Sequence, residues 1–196
     1  MHDWKNLHYL KLGTEQQQRA HRILAELDLW ATLRDFDPVL AGTVPLALDV
    51  ATSDLDVICE VPLTEHIVFE QLLRNHYGDL PGFQVRRTRS RGRESLVSNF
   101  WYAGMPIELF GQAQPTMQQY AFRHLVVEHA ILQIGGEAWR AAVLHLKQQG
   151  LKTEPAFASL LGLPGDPYEA LLLLEGQSTA DLAGRLSQCL LPILAP

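Results

Sequence analysis

The chain has 196 residues, enough for one domain with a helical annex, and its 47% hydrophobic and 19% charged residues supply a core and exclude extended disorder. A formal net charge of −6 argues against a protein that grips nucleic acid by bulk electrostatics, so a nucleic-acid partner is not expected. The two cysteines, Cys59 and Cys189, fall in an apolar stretch and a leucine-rich tail, as inert buried thiols would. With no signal-peptide pattern at the start and no apolar run of about 20 residues, a cytoplasmic protein without a membrane span is expected.

Helical spacing of Ile23, Leu24, Leu27, Trp30 and Leu33 predicts a helix from Thr14 to about Asp35. Thr14 and Gln17 form a capping box at its start, and Asp37-Pro38 stops it. Val39-Leu40-Ala41 reads as a strand entering a turn at Gly42, and Asp54 to Val61 as a second strand. A helix follows from Pro62 to about Tyr77, with Ile67, Val68, Leu72 and Leu73 on its buried side. Three further strands are predicted at 83–89, 94–102 and 105–110, the last two joined by an Ala103-Gly104 hairpin. Thereafter the pattern turns helical: 117–134, 137–149, 155–161, 167–174 and 179–191. The expected layout is α/β (α+β), with a small mixed, mostly antiparallel sheet in residues 1–114 and a helical half in residues 115–196, packed as one unit.

The chemistry concentrates between Gly42 and Asp56. Side chains two apart on a strand share a face, so Asp54 and Asp56 project together. Two adjacent carboxylates repel unless a divalent cation neutralises them. Glu108, in Ile107-Glu108-Leu109, adds a third acid if its strand lies beside theirs. Such a trio suits Mg2+ or Mn2+, hard cations that take oxygen ligands and keep waters for substrate phosphates. Gly42-Thr43 supplies a turn at which backbone amides and a hydroxyl approach phosphate, with Ser53 in the same segment.

This arrangement resembles the polymerase-beta-like nucleotidyltransferase superfamily. The likeness rests on Gly42-Thr43, ten intervening residues, Asp54-Leu55-Asp56, and Glu108 on a later strand. More narrowly the chain is similar to a bacterial family of unassigned function within that superfamily, through residues 41–45, 53–59, 107–110, 120–124 and 151–158. It departs from the superfamily pattern in having threonine at 43 where serine is commoner, and glutamate at 108 in place of aspartate. The resemblance implies a nucleotidyltransferase: metal-dependent transfer of a nucleotidyl group from a nucleoside triphosphate such as ATP to an unknown acceptor. Asp54, Asp56 and Glu108 would be catalytic and metal-binding, while Gly42, Thr43, Ser53, Arg123 and Lys152 would bind nucleotide. A catalytically silent nucleotide- or protein-binding module and a metal-dependent phosphohydrolase are the alternatives.

Other features have plainer expectations. Asp35-Phe36-Asp37 repeats the acid-apolar-acid spacing but sits at a helix end, where it caps and turns. Asp49 could shape the site or a turn. Five arginines between Arg86 and Arg93 could hold a polyanion or solvate a hairpin, with 87, 89, 91 and 93 sharing one face. His124 and Glu128, four apart, are expected to pair along a helix face. Trp101, Tyr102 and Phe110 are expected in the core rather than as a base-stacking platform.

Overall fold

The computed structural model describes residues 2–192. The chain divides into two compact units, Met1–Ala47 with Ser53–Phe122, and Leu48–Thr52 with Arg123–Pro196.

The first unit opens with helices α1 (His8–Lys11) and α2 (Glu15–Glu26). The capping box of α2 forms as the sequence predicts, with the Thr14 hydroxyl accepting from the Gln17 amide and the Gln17 side chain accepting from the Thr14 amide. The helix is shorter than its periodicity suggests. Asp28 adopts a left-handed conformation (φ 48°), after which α3 (Leu29–Thr32) and a 3-10 turn (Arg34–Phe36) carry the chain on. An aspartate tolerates this conformation better than most residues. The break lets Leu24, Leu29, Leu33 and Phe36 all stay buried.

Strands β1 (Val39–Ala41), β2 (Leu55–Glu60), β3 (Gln84–Ser90), β4 (Arg93–Tyr102) and β5 (Met105–Gln112) form one sheet in the order β1-β2-β5-β4-β3. Only β2 and β5 run parallel; the other three pairings are antiparallel. Both hairpins turn through two residues of positive φ, Arg91-Gly92 (51° and 78°) and Ala103-Gly104 (48° and 72°). This is the type I′ geometry that matches strand twist.

One face of the sheet is apolar: Leu55, Val57, Leu96, Phe100, Ile107 and Leu109 are buried within a single cluster. Helix α4 (His66–Tyr77) contributes to the same cluster through Leu73 and, in part, Leu72 as predicted, but not through Ile67 and Val68. It buries Phe69, Leu73 and Tyr77, while Ile67 and Val68 stay 60% and 57% exposed. Aromatic area decides the rotation, because one narrow stripe can face inward and the rings bury more. Phe69 meets Phe36 edge-on at 4.8 Å, and Tyr77 stacks on Phe100 at 5.1 Å.

The second unit is built on α5 (Tyr120–Gln148), whose backbone leaves helical geometry at Gly136 (φ 61°, ψ −151°). The sequence marks the same point as a boundary between two helices, although the first begins three residues later than predicted, after a 3-10 turn at Thr116–Gln118. Next come α6 (Thr153–Leu161), α7 (Pro167–Leu172) and α8 (Thr179–Leu186). Asp166 and Ser178 cap the last two, and Pro167 opens the first turn of α7. Ile131, Val143, Phe157 and Leu171 are fully buried within this unit. Cys59 is buried, whereas Cys189 is only half-buried, so a single thiol matches the inert-core expectation. No helix among the described residues is long and apolar enough to cross a membrane.

Candidate functional site

The other face of the sheet, apolar at Val39, Ile58 and Val97, carries a lateral row that includes polar residues and is set by strand register. Ala41 on β1 pairs with Asp56 on β2, Asp56 with Glu108 on β5, Glu108 with Asn99 on β4, and Asn99 with Gln84 on β3. The parallel β2–β5 pairing therefore makes immediate neighbours of two acids that lie far apart in sequence. Both are half-buried, as is Asp54 just before β2. Asn99 donates from its amide nitrogen to Glu108 Oε2 at 3.1 Å, which orients the glutamate.

At the β1 end of the row the chain turns at Gly42 with φ 70°. A Cβ here would stand 2.1 Å from Asp56 Oδ2, so only glycine lets this carboxylate lie against the turn. Thr43 follows, and its hydroxyl bonds that of Ser53 at 3.3 Å, tying the two ends of the intervening loop together. Gln17 braces the turn from α2, its amide nitrogen donating to the carbonyls of Val44 (2.9 Å) and Pro45 (3.1 Å). One side chain thus completes a helix cap and fixes a loop.

Of the eight residues named from sequence, six fall in this first unit: Gly42, Thr43, Ser53, Asp54, Asp56 and Glu108. Arg123 and Lys152 fall in the second. There Arg123 grips Glu175 through its Nε and Nη2, with contacts of 2.6–3.2 Å, and Lys152 is exposed at the start of α6. Among the described residues, no three His, Cys, Asp or Glu side chains stand close enough together to hold a metal ion. The donor chemistry nevertheless suits a hard cation: carboxylate oxygens from adjacent strands, beside a glycine turn against which Asp56 Oδ2 lies.

Asn99 and Gln17 are the members that sequence reasoning passed over. Asn99 carried a legible signal, a polar residue in an apolar strand, at the parity of the acid face.

Three other expectations change. The arginine hairpin does not keep four arginines on one face, because the Arg91-Gly92 turn ends the alternation. Arg87 lies 3.6 Å from Glu70 of α4, Arg91 covers the Tyr120 ring at 4.7 Å, and Arg86 shares parity with Gln84 on the acid side. His124 looks to other helices, with Nδ1 3.6 Å from Glu154 and Nε2 2.9 Å from the Tyr168 carbonyl. Trp101 lies outside the core, 51% exposed.

The second unit holds a different polar group. Glu128 of α5 is 3% exposed, and its Oε1 has no hydrogen-bond partner. Burial pushes its carboxyl well above the usual range, Glu154 pushes it further, and Lys147 pulls the other way. Lys147, itself buried, donates to the Thr153 hydroxyl at 2.6 Å; burial lowers its ammonium, while Glu128 and Glu154 counter that. Asp49, from the 48–52 segment, is also raised by burial and lowered by Lys147.

The profile of a family described as "Domain of unknown function (DUF4269)" matches residues 22–174. No curated protein matches the chain. Among solved structures it is similar to the Cid1 poly(U) polymerase with Mg 3′-dATP bound, at 13% identity and a TM-score of 0.52, covering 82% of this chain and 49% of that one. The MgGTP-bound form of Cid1 gives 12%, 0.51, and 80% and 48% coverage. The polymerase core of TRAMP, an RNA surveillance complex, gives 12%, 0.50, and 89% and 57%. The chain spans about half the length of these structures. At such identity the likeness shows the fold: a nucleotidyltransferase-type mixed sheet with accompanying helices.

Proposed function

Since the chain belongs to the family described as Domain of unknown function (DUF4269), a description that carries no activity, we propose from the sheet geometry that it transfers a nucleotidyl group. The donor is a magnesium-bound nucleoside triphosphate and the acceptor carries a hydroxyl. The observation that supports this most is the pairing of Asp56 with Glu108, flanked by the Gly42 turn on one side and Asn99 on the other.

In this reading Asp54 and Asp56 hold the metal, and Glu108 is a further ligand or the base. Magnesium, when bound, neutralises charge on the transferring phosphoryl group. The Gly42-Thr43 turn and the Ser53 hydroxyl position the phosphates. Glu108, steadied by Asn99, takes the proton of the acceptor hydroxyl. The acceptor oxygen bonds to the α-phosphorus as the bridging P–O bond breaks, and pyrophosphate leaves with that electron pair. Asp56→Asn removes one ligand charge at nearly constant volume. Magnesium-dependent triphosphate binding, followed by calorimetry, and pyrophosphate release should both be abolished while the fold persists; unchanged turnover would refute the assignment.

A second reading is a silent nucleotide-binding module that keeps the same acids and turn. Magnesium-dependent binding of a triphosphate without pyrophosphate release would favour it. Phosphohydrolysis by the same acids would instead release inorganic phosphate or a monophosphate.

A further inference from the structure

Trp101 exposes half of its surface on the face that carries Asp56 and Glu108, whereas Val39, Ile58 and Val97 on that face, like Trp4 and Trp139 elsewhere, are buried. Strand β4 pairs with β5 without a bulge from Ser95↔Gln112 to Tyr102↔Met105. Parity therefore puts Trp101 on the same face as Asn99, the residue that holds Glu108. Its neighbours across the sheet are small or flat. Pro106 is its β5 partner, and on the other side a Cβ at Gly82 would come within 3.1 Å of the indole Cδ1. The Trp101 amide donates to the Pro81 carbonyl at 2.8 Å, which fixes the strand at this point. The result is a backbone-anchored indole with low flanks. A large amphipathic ring held half-open on a rigid element is a contact surface for another flat group.

The order of the row says which substrate meets it, given the nucleotidyl-transfer reading on which this inference rests. In-line displacement puts the leaving group and the attacking oxygen on opposite sides of the phosphorus. The phosphate turn, Gly42-Thr43, stands at the β1 end of the row, so pyrophosphate departs on that side. The acceptor accordingly arrives over β5 and β4, where Glu108 and Asn99 lie in the row and Trp101 stands two residues further along β4 on the same face. Residues two apart on a strand are separated by about 6.5 Å and adjacent strands by about 4.8 Å, so Trp101 lies within about one nucleoside length of Glu108. The polar side chains of this parity on β3 are Gln84, Arg86, Thr88 and Ser90, with no carboxylate to attract a polycation.

We propose that Trp101 is the stacking platform for the acceptor, and that the acceptor carries a flat heteroaromatic ring about one sugar away from its attacking hydroxyl, as a nucleoside does. The test is calorimetry on the full chain saturated with magnesium and a non-hydrolysable triphosphate. Adenosine, uridine, ribose and a short oligonucleotide ending in either base are titrated in turn. Nucleosides should bind and ribose should not. Trp101→Ala should weaken nucleoside binding about tenfold, as loss of one base–aromatic stack does, and Trp101→Phe should restore most of it. Triphosphate affinity should stay unchanged in both variants. Tighter binding of the oligonucleotide than of the nucleoside, still lost in Trp101→Ala, would identify a polymer end as the source of the ring. The inference is overturned by wild-type protein that ignores nucleosides, by Trp101→Ala that binds them normally, or by nucleoside and triphosphate competing for the indole. Asp56→Asn separates the two failures. If it abolishes triphosphate binding while Trp101→Ala changes nothing, only the acceptor platform is wrong; if it leaves triphosphate binding intact, the reading of the acids is wrong.

Discussion

The protein arranges carboxylates in two regions under opposite physical conditions. On the sheet, Asp56 and Glu108 sit side by side, half-exposed, with a glycine clearing space for one and an amide orienting the other. Within the helical unit, Glu128 is sealed from water with one oxygen lacking a partner, and its nearest compensation is a lysine that is itself buried. The first grouping is partly open to solvent, where an external cation could reach it. The second turns its charges inward, so it stabilises or destabilises the helices according to protonation. Clustering of acids alone therefore does not mark a site; solvent access and the chemistry of the neighbours decide.

The contrast can be broken at several points. Lys147→Met removes the cation facing Glu128, Glu154 and Asp49, and should cost about 3–5 kcal/mol in urea unfolding, as loss of one member of a buried charged group does. Protein that remains folded should bind magnesium and triphosphate normally; a binding defect would mean the two regions are not distinct. Gly42→Ala forces a side chain into a left-handed turn and against Asp56 Oδ2. Backbone strain of about 1–3 kcal/mol should appear in unfolding, and magnesium-dependent triphosphate binding should fall with it. Asn99→Ala should lower metal affinity about 10–100-fold with little change in the unfolding midpoint.

The smallest effect at neutral pH belongs to Glu128→Gln, about 1 kcal/mol or less. Its signature is the pH profile. Because burial raises the Glu128 carboxyl in the folded chain, the folded state holds a proton that the unfolded state releases, so stability falls as pH climbs above the ordinary glutamate range. The variant should lose that decline above the ordinary glutamate range. The lowered Lys147 ammonium acts in the opposite sense, with stability rising toward the ordinary lysine range.

Much of the sheet was legible because short-range signals agreed there. The turn at Gly42, the Ala103-Gly104 hairpin and the alternation around Asp56 are local, and each predicted the observed geometry. Register across strands was legible only as a condition: nothing near Asp56 says that Glu108 will be its neighbour. Leu72 and Leu73 of α4 were placed correctly, but Ile67 and Val68 were misread because they look as apolar as Phe69, and only the partner rings Phe36 and Phe100 choose between them. Trp101 was misplaced for the complementary reason, since composition favours burial and parity had to overrule it. The buried lysine–glutamate group left no trace in spacing, because its members come from α5, α6 and the 48–52 segment.

The parallel pairing of β2 with β5 has a kinetic corollary. The β3–β4 and β4–β5 hairpins close through two-residue turns, which chains of this kind complete in about 1–10 μs. Joining β2 to β5 must close a loop that includes α4 and both hairpins, at a larger entropic toll. Asp56 and Glu108 therefore become neighbours only at one of the last long-range steps of assembly. On the proposed reading of these acids, an incompletely folded chain would have its hairpins but not its dication site, and cation affinity would report that the final strand has docked.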